Sequence, residues 1–126
     1  MSTLQEITRA KIEIRRVSRD LIQNVFKITE YFPKNDSEGI GLALRKKSLS
    51  ISSFVSHGTV QNDKDEQGNQ FIIVMTELRE ILKLTVLAKQ LGFIGDKHEA
   101  LMRISISNVI TQLDQLVKLL GSFDNH

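Results

Sequence analysis

The chain of 126 residues has no cysteine and no tryptophan, a single proline, one tyrosine and seven glycines. Without cysteine there is no disulfide framework, no thiol nucleophile and no thiolate metal site, a pattern that fits a reducing cytoplasm. The scarcity of proline and glycine leaves few breakers, so the composition is that of a globular protein of high helix content. Long apolar runs are also missing. The longest is Phe71 to Met75, against the ~20 residues a membrane span needs. The first twenty residues mix Glu6, Arg9, Lys11, Glu13, Arg15, Arg16 and Arg19 with no apolar core, unlike a secretory signal. The expectation is one soluble, cytoplasmic domain spanning 1–126.

What the sequence does contain is helical periodicity. Leu4, Ile7, Ile14, Val17, Leu21, Val25, Ile28 and Phe32 recur in steps of three, four and seven and predict a first helix over about 4–32, stopped by Pro33. Asp36 or Ser37 is the expected cap of a second helix over about 37–58. Its face is Ile40, Leu44, Ile51, Phe54 and Val55, with Leu42 and Leu49 on another side and Gly58 at its end. The polar stretch 59–69, with Asp63, Lys64, Asp65, Glu66 and Gly68, reads as the longest loop, mobile at its tip. A third helix is expected over about 70–91, closed by Gly92 as a C′ glycine with Phe93 as its hydrophobic contact. A fourth follows over about 96–121, opened by an Asp96/Glu99 capping box. The short third connection forces antiparallel neighbours. Together these elements give an all-α, antiparallel up-and-down four-helix bundle.

The third helix is apolar nearly all round. Ile72, Ile73, Val74 and Met75 are consecutive and point in every direction. In a four-helix bundle only one side of each helix faces the core, so the surplus predicts self-association. Ile72, Ile73, Val74 and Met75, with Leu42 and Leu49, are the candidate interface between copies.

Net charge is only +2 but unevenly laid out: residues 1–34 hold seven bases and four acids, 62–126 seven bases and nine acids. From Gly39 to Asn62 there is no acid at all, which makes Arg45, Lys46 and Lys47 one candidate contact for a polyanion such as RNA or DNA. Lys11, Arg15 and Arg19, an i,i+4 row with no acid at its own steps, are the second. The competing reading is a wet surface, with one of the second-helix cations paired to Glu80. Lys47 falls between Leu44 and Ile51 and is expected to snorkel outward. Arg9, Arg16 and Lys27 alternate with Glu13, Asp20 and Glu30 as surface ion pairs. With six Phe, one Tyr and no Trp, any nucleic acid would be gripped by backbone and shape instead of stacking.

Catalysis finds little support. A di-iron bundle needs Glu-x-x-His pairs, and none of His57, His98 and His126 has a Glu three residues before it. No glycine-rich phosphate loop is present. No cofactor, metal or small-molecule substrate is expected. Membrane-surface attachment through the basic first helix is disfavoured because its apolar stripe is needed for the core.

Two blocks carry a resemblance. Phe32-Pro33, Gly39, Leu44-Arg45-Lys46 and Ser50 to Gly58 come first; Glu80 and Leu87-Ala88-Lys89-Gln90-Leu91-Gly92-Phe93-Ile94 follow. In this order the chain resembles the small bacterial four-helix-bundle proteins encoded in intervening sequences of large-subunit ribosomal RNA genes. That architecture is similar to the accessory variability determinant proteins of diversity-generating retroelements. The resemblance implies a ring-like homo-oligomer, often a pentamer, that engages nucleic acid or a reverse transcriptase. The chain departs from the pattern at Arg45-Lys46-Lys47-Ser48, where the family has two arginines and two small residues. It departs again at Phe54 and His57, where the family has asparagine and glutamate. Phe54 cannot hydrogen-bond, and His57 replaces a fixed negative charge by a titratable ring.

Overall fold

The computed structural model describes residues 3–124 and is all-α. Its helices are α1 (Thr3–Thr29), α2 (Ile40–Val60), α3 (Lys64–Gln90) and α4 (Asp96–Asp124). They run up and down in turn. α1 packs on α2 and α4, α2 packs on α3, and α3 meets α4 more sparsely, while the diagonal pairs do not touch among the described residues. The expected antiparallel four-helix bundle is therefore the observed fold.

The core follows the apolar stripes. Ile7, Ile14, Val17, Leu21, Val25 and Ile28 of α1 are buried, against Ile40, Leu44, Ile51 and Val55 of α2. Each such side chain contributes roughly 1.5–3 kcal/mol on leaving water. Leu4, placed on the same stripe by spacing, is 61% exposed. Ser18, Thr29 and Thr85 are buried without penalty because their hydroxyls donate to the carbonyls of Ile14, Val25 and Ile81, four residues back, at 2.7–2.8 Å.

Element ends differ from the sequence reading in instructive ways. α1 stops at Thr29, and Tyr31 and Phe32 then donate to the carbonyls of Ile28 and Thr29, a tight turn completed before Pro33. α2 starts after Gly39, which takes the left-handed conformation at φ 66°. Asp36 still caps it from a distance, its Oδ2 accepting from the Gly41 N–H at 2.9 Å. The expected long loop 59–69 is mostly helix. Asp63 Oδ1 accepts from the N–H groups of Asp65 and Glu66, the two acids stabilise the first turn against the helix dipole, and Gly68 is carried inside α3. Only residues 61–63 remain between α2 and α3.

The other end of α3 closes as the sequence indicates. Gly92, at φ 78°, donates to Lys89 O and Phe93 to Ala88 O, the two bonds of a Schellman close. The Phe93 ring then lies 5.2 Å from Phe32, tying the third connection to the first. The expected capping box of α4 is instead an ion cluster. Lys89 Nζ sits 2.7 Å from Asp96 Oδ1 and 3.3 Å from Glu99 Oε1, because the long lysine stem from the last turn of α3 reaches both carboxylates first. Gly121 does not end α4, which continues to Asp124.

Candidate nucleic-acid interface

The two candidate basic clusters meet on one side of the bundle, though not as two clusters. Antiparallel packing lays the Lys11, Arg15 and Arg19 row of α1 along α2, successive members about 6 Å apart. Arg15 crosses to α2, its guanidinium donating to Thr59 Oγ1 at 3.1 Å. Near the other end of the same seam Arg45 of α2 crosses to α1. Its Nε donates to Thr29 Oγ1 at 2.8 Å and its guanidinium lies 4.8 Å above the Phe26 ring. Thus Lys11, Arg15, Arg19 and Arg45 share the α1/α2 seam.

The second-helix triad is dispersed by the same packing. Arg45 turns to α1. Lys46 is exposed and makes no hydrogen bond or ion pair among the described residues. Lys47 turns to α3, where Nζ stands 3.5 Å from Glu77 Oε2. The Lys47 side chain is 30% exposed, so the ammonium is partnered at the α2/α3 boundary and does not snorkel free. The expected acidic partner Glu80 is taken by Lys83 at 3.3 Å on its own helix. Helical rotation explains the choice: Glu77 falls on the α2 side of α3, three residues short of Glu80 and about 60° from it.

Acids are kept off the seam. Glu13 and Asp20 both bind Arg16, at 3.0 and 3.1 Å, on another face of α1. Hydrogen bonding from Arg16 holds the Glu13 carboxyl below its ordinary value and lifts the guanidinium above its own. α2 contributes small hydroxyls beside the cations, with Ser48 and Thr59 buried and Ser52 half-buried. The seam is consequently a positive strip about 20 Å long, with Lys11 and Arg19 free to meet a ligand and Arg15 and Arg45 already braced by hydroxyls.

The candidate oligomer residues separate into three groups. Val74 is fully buried in the chain's own core and cannot contact another copy, a correction forced by its position between Phe71 and Leu78 on the inner face of α3. Ile73 is half-buried on the side toward α2. Ile72, 65% exposed, and the half-buried Met75 line an open groove between α3 and α4. Leu42 and Leu49 are exposed on the outer side of α2, away from that groove. Much of the surplus apolar surface of α3 is absorbed inside the chain, since Met75, Leu82, Leu84 and Leu87 pack against the core from its flanks.

The groove itself was not legible in the sequence. Its volume is about 790 Å³, and its walls include Phe71, Ile72, Met75, Ile110, Val117 and Leu120. A smaller hollow of about 200 Å³ continues it past Leu82, Ile106 and Ile110. Sparse α3/α4 packing opens it. His57 is exposed on α2, His98 stacks at 5.0 Å on Tyr31, and His126 lies outside the described residues. Among the described residues no three His, Asp or Glu side chains converge as a metal site would require.

By fold the chain is an antiparallel four-helix-bundle protein with a cationic seam on one side and an apolar groove on another. No family model matches it, and no curated protein matches it significantly. No helix is long and apolar enough to cross a membrane.

Proposed function

We propose that this chain is a non-catalytic, homo-oligomeric helical module of the cytoplasm that binds the phosphate backbone of RNA or DNA, alone or within a nucleic-acid enzyme complex. The single observation that carries the reading is the α1/α2 seam. Four cations line it, the acids of α1 are gathered elsewhere by Arg16, and α2 from Gly39 onward has none to offer. Spacing of about 6 Å along an i,i+4 row suits successive phosphates, and repetition of the seam in an oligomer multiplies the contact. The resemblance to the ribosomal RNA intervening-sequence proteins and to the accessory proteins of diversity-generating retroelements points the same way. It names a reverse transcriptase as one partner class and a five-membered ring as one assembly.

A second reading is a purely structural oligomer with no nucleic-acid role. It is favoured by one fact: Arg15, Arg45 and Lys47 spend their donors on Thr59, Thr29 and Glu77. Fluorescence anisotropy with a labelled RNA strand and a labelled DNA duplex, titrated across salt, separates the two. Binding that falls steeply with salt is expected, at about 0.9 in the logarithmic slope per duplex phosphate contacted. Absence of binding at low salt would leave only the structural oligomer.

A further inference from the structure

The groove between α3 and α4 has a regularity that the bundle's own core does not require. The Lys89–Glu99 ion pair fixes the antiparallel register of the two helices. To within a residue it sets Gly68 level with Gly121, Ile72 with Val117, Met75 with Asp114, and Arg79 with Ile110. On α3 the positions Gly68, Ile72, Met75, Arg79 and Leu82 follow steps of four and three. On α4 the positions Arg103, Ser107, Ile110, Asp114, Val117 and Gly121 do the same. All of them line the groove or its continuation. Alternating steps of four and three are the pattern by which a helix presents a straight seam to another helix. Both helices therefore carry a second seam beside the one that faces the core.

What covers this seam is indicated by its symmetry. Ile72 is 65% exposed, Val117 47% and Ile110 37%, so apolar side chains stand on both walls. Gly68 and Gly121 sit inside helices, where alanine is the better helix former, and no atom of the chain lies within 4 Å of where either Cβ would stand. Backbone could approach closely there. The charges are split between the walls: Arg79 of α3 has no hydrogen bond or ion pair, and Asp114 of α4 has only an exposed partner, Lys118 one turn on. A surface whose two walls complement each other at equal height is matched by itself, turned about an axis running along the groove.

The geometry points to a second copy of this chain as the occupant, docked groove to groove about a two-fold axis. In that arrangement α3 of each copy lies antiparallel to α4 of the other, and the four helices make a new bundle between the subunits. Ile72 packs on the other copy's position 117, Gly68 opposes position 121, and Arg79 reaches position 114 about one turn away, ~6 Å along the axis. From Gly68 to Leu82 the α3 wall is ~21 Å long, and two helices wide the contact approaches the ~800 Å² per subunit of a standard interface. The inference deepens the homo-oligomer part of the proposed function by giving it a surface and a symmetry. It differs from the five-membered ring, which would need two unlike surfaces in contact.

Sedimentation velocity of the full chain at micromolar concentration tests it. Twice the 14.3 kDa chain mass is expected. Ile72→Asp with Val117→Asp should give the single-chain mass with unchanged helical circular dichroism. Arg79→Asp should weaken dimerisation at least tenfold, and Asp114→Arg added to it should restore the dimer. Because the chain has no cysteine, a mixture of the Ile72→Cys and Val117→Cys chains offers a check that tolerates any folding defect in the acidic variant. Mild oxidation should yield a covalent pair, and failure to form it overturns the proposal. A wild type of single-chain mass overturns the oligomer reading and this contact together. An oligomer of five copies, or one untouched by Ile72→Asp with Val117→Asp, overturns the groove contact and leaves the oligomer reading standing.

Discussion

Gly58 and Phe71 meet at the closest approach of α2 and α3: a Cβ placed on Gly58 would lie 2.5 Å from Cε1 of the Phe71 ring. The glycine is buried, two residues before α2 ends at Val60, and Phe71 is only 6% exposed. Its role is therefore to let two helices come together at the end of the bundle that the three-residue connection closes.

Gly58→Ala is accordingly expected to destabilise the fold by about 1–3 kcal/mol, the cost of overpacking a filled core. The helix-propensity gain of alanine, about 1 kcal/mol, acts in the opposite direction and is outweighed by the 2.5 Å clash. Chemical denaturation of Gly58→Ala, Phe71→Leu and the double variant would measure the coupling. Simple additivity of the two effects would mean that the contact is not what restricts position 58.

The same residue shows how far the sequence could be read. Helical stripes gave the bundle, because a period of three and four survives whatever packs against it, and Gly92 was legible as a helix end because Phe93 follows it. Gly58 and Gly68 look no different from Gly92 in sequence. One is a contact and the other is carried through the first turns of α3, whose start is decided by Asp63 and its bonds to Asp65 and Glu66. At the candidate site, the positions of Lys11, Arg15 and Arg19 on one row were plain from spacing. The partners of Arg45 and Lys47 lie 16 and 30 residues away, and only the rotation of neighbouring helices selects Thr29 and Glu77. The α3/α4 groove arises from how closely two helices pack, which local pattern does not encode.

Asp63→Ala should therefore expose the misread segment. Loss of an N-cap carboxylate costs about 1 kcal/mol, and here the loss falls on a first turn that contains Gly68 one turn further on. Amide hydrogen exchange should accelerate over 64–70 and remain slow beyond Phe71, which anchors α3 in the core. Uniformly unchanged exchange would show that tertiary packing, not the cap, sets the start of α3.

For the cationic seam, free and braced residues should behave differently. Lys11→Ala and Arg19→Ala each remove a charge that makes no internal bond, so each should lower the salt slope of nucleic-acid binding by about 0.9 for duplex or 0.7 for a single strand, with little change in Tm. Arg45→Ala should weaken binding and also destabilise the fold by about 1–2 kcal/mol, since it deletes a charged hydrogen bond to Thr29 and the contact with Phe26. Lys47→Ala should leave binding unchanged, its ammonium being engaged with Glu77. A loss of binding in Lys47→Ala equal to that in Lys11→Ala would place the contact on the other side of α2.

The turn between α3 and α4 makes a pH-dependent contribution whose sign can be worked out. Hydrogen bonding from Lys89 holds the Asp96 carboxyl below its ordinary value, while Asp96 and Glu99 raise the Lys89 ammonium above its own. A carboxyl bound more tightly as an anion in the folded chain stabilises that fold above its unfolded pKa and loses the contribution as pH falls through the lowered folded value. The raised lysine does the reverse at the alkaline end, contributing below its unfolded pKa and losing the effect as pH climbs through the folded one. Asp96 is 90% exposed, so water and salt screen the pair and the effect is small. The Tm difference between wild type and Asp96→Asn should be present at neutral pH in low salt and should vanish once the solution is acid enough to protonate Asp96 in the folded chain. It should also shrink in high salt at neutral pH. A difference that persists unchanged into strong acid would mean that Asp96 acts through its place at the start of α4 and not through its charge on Lys89.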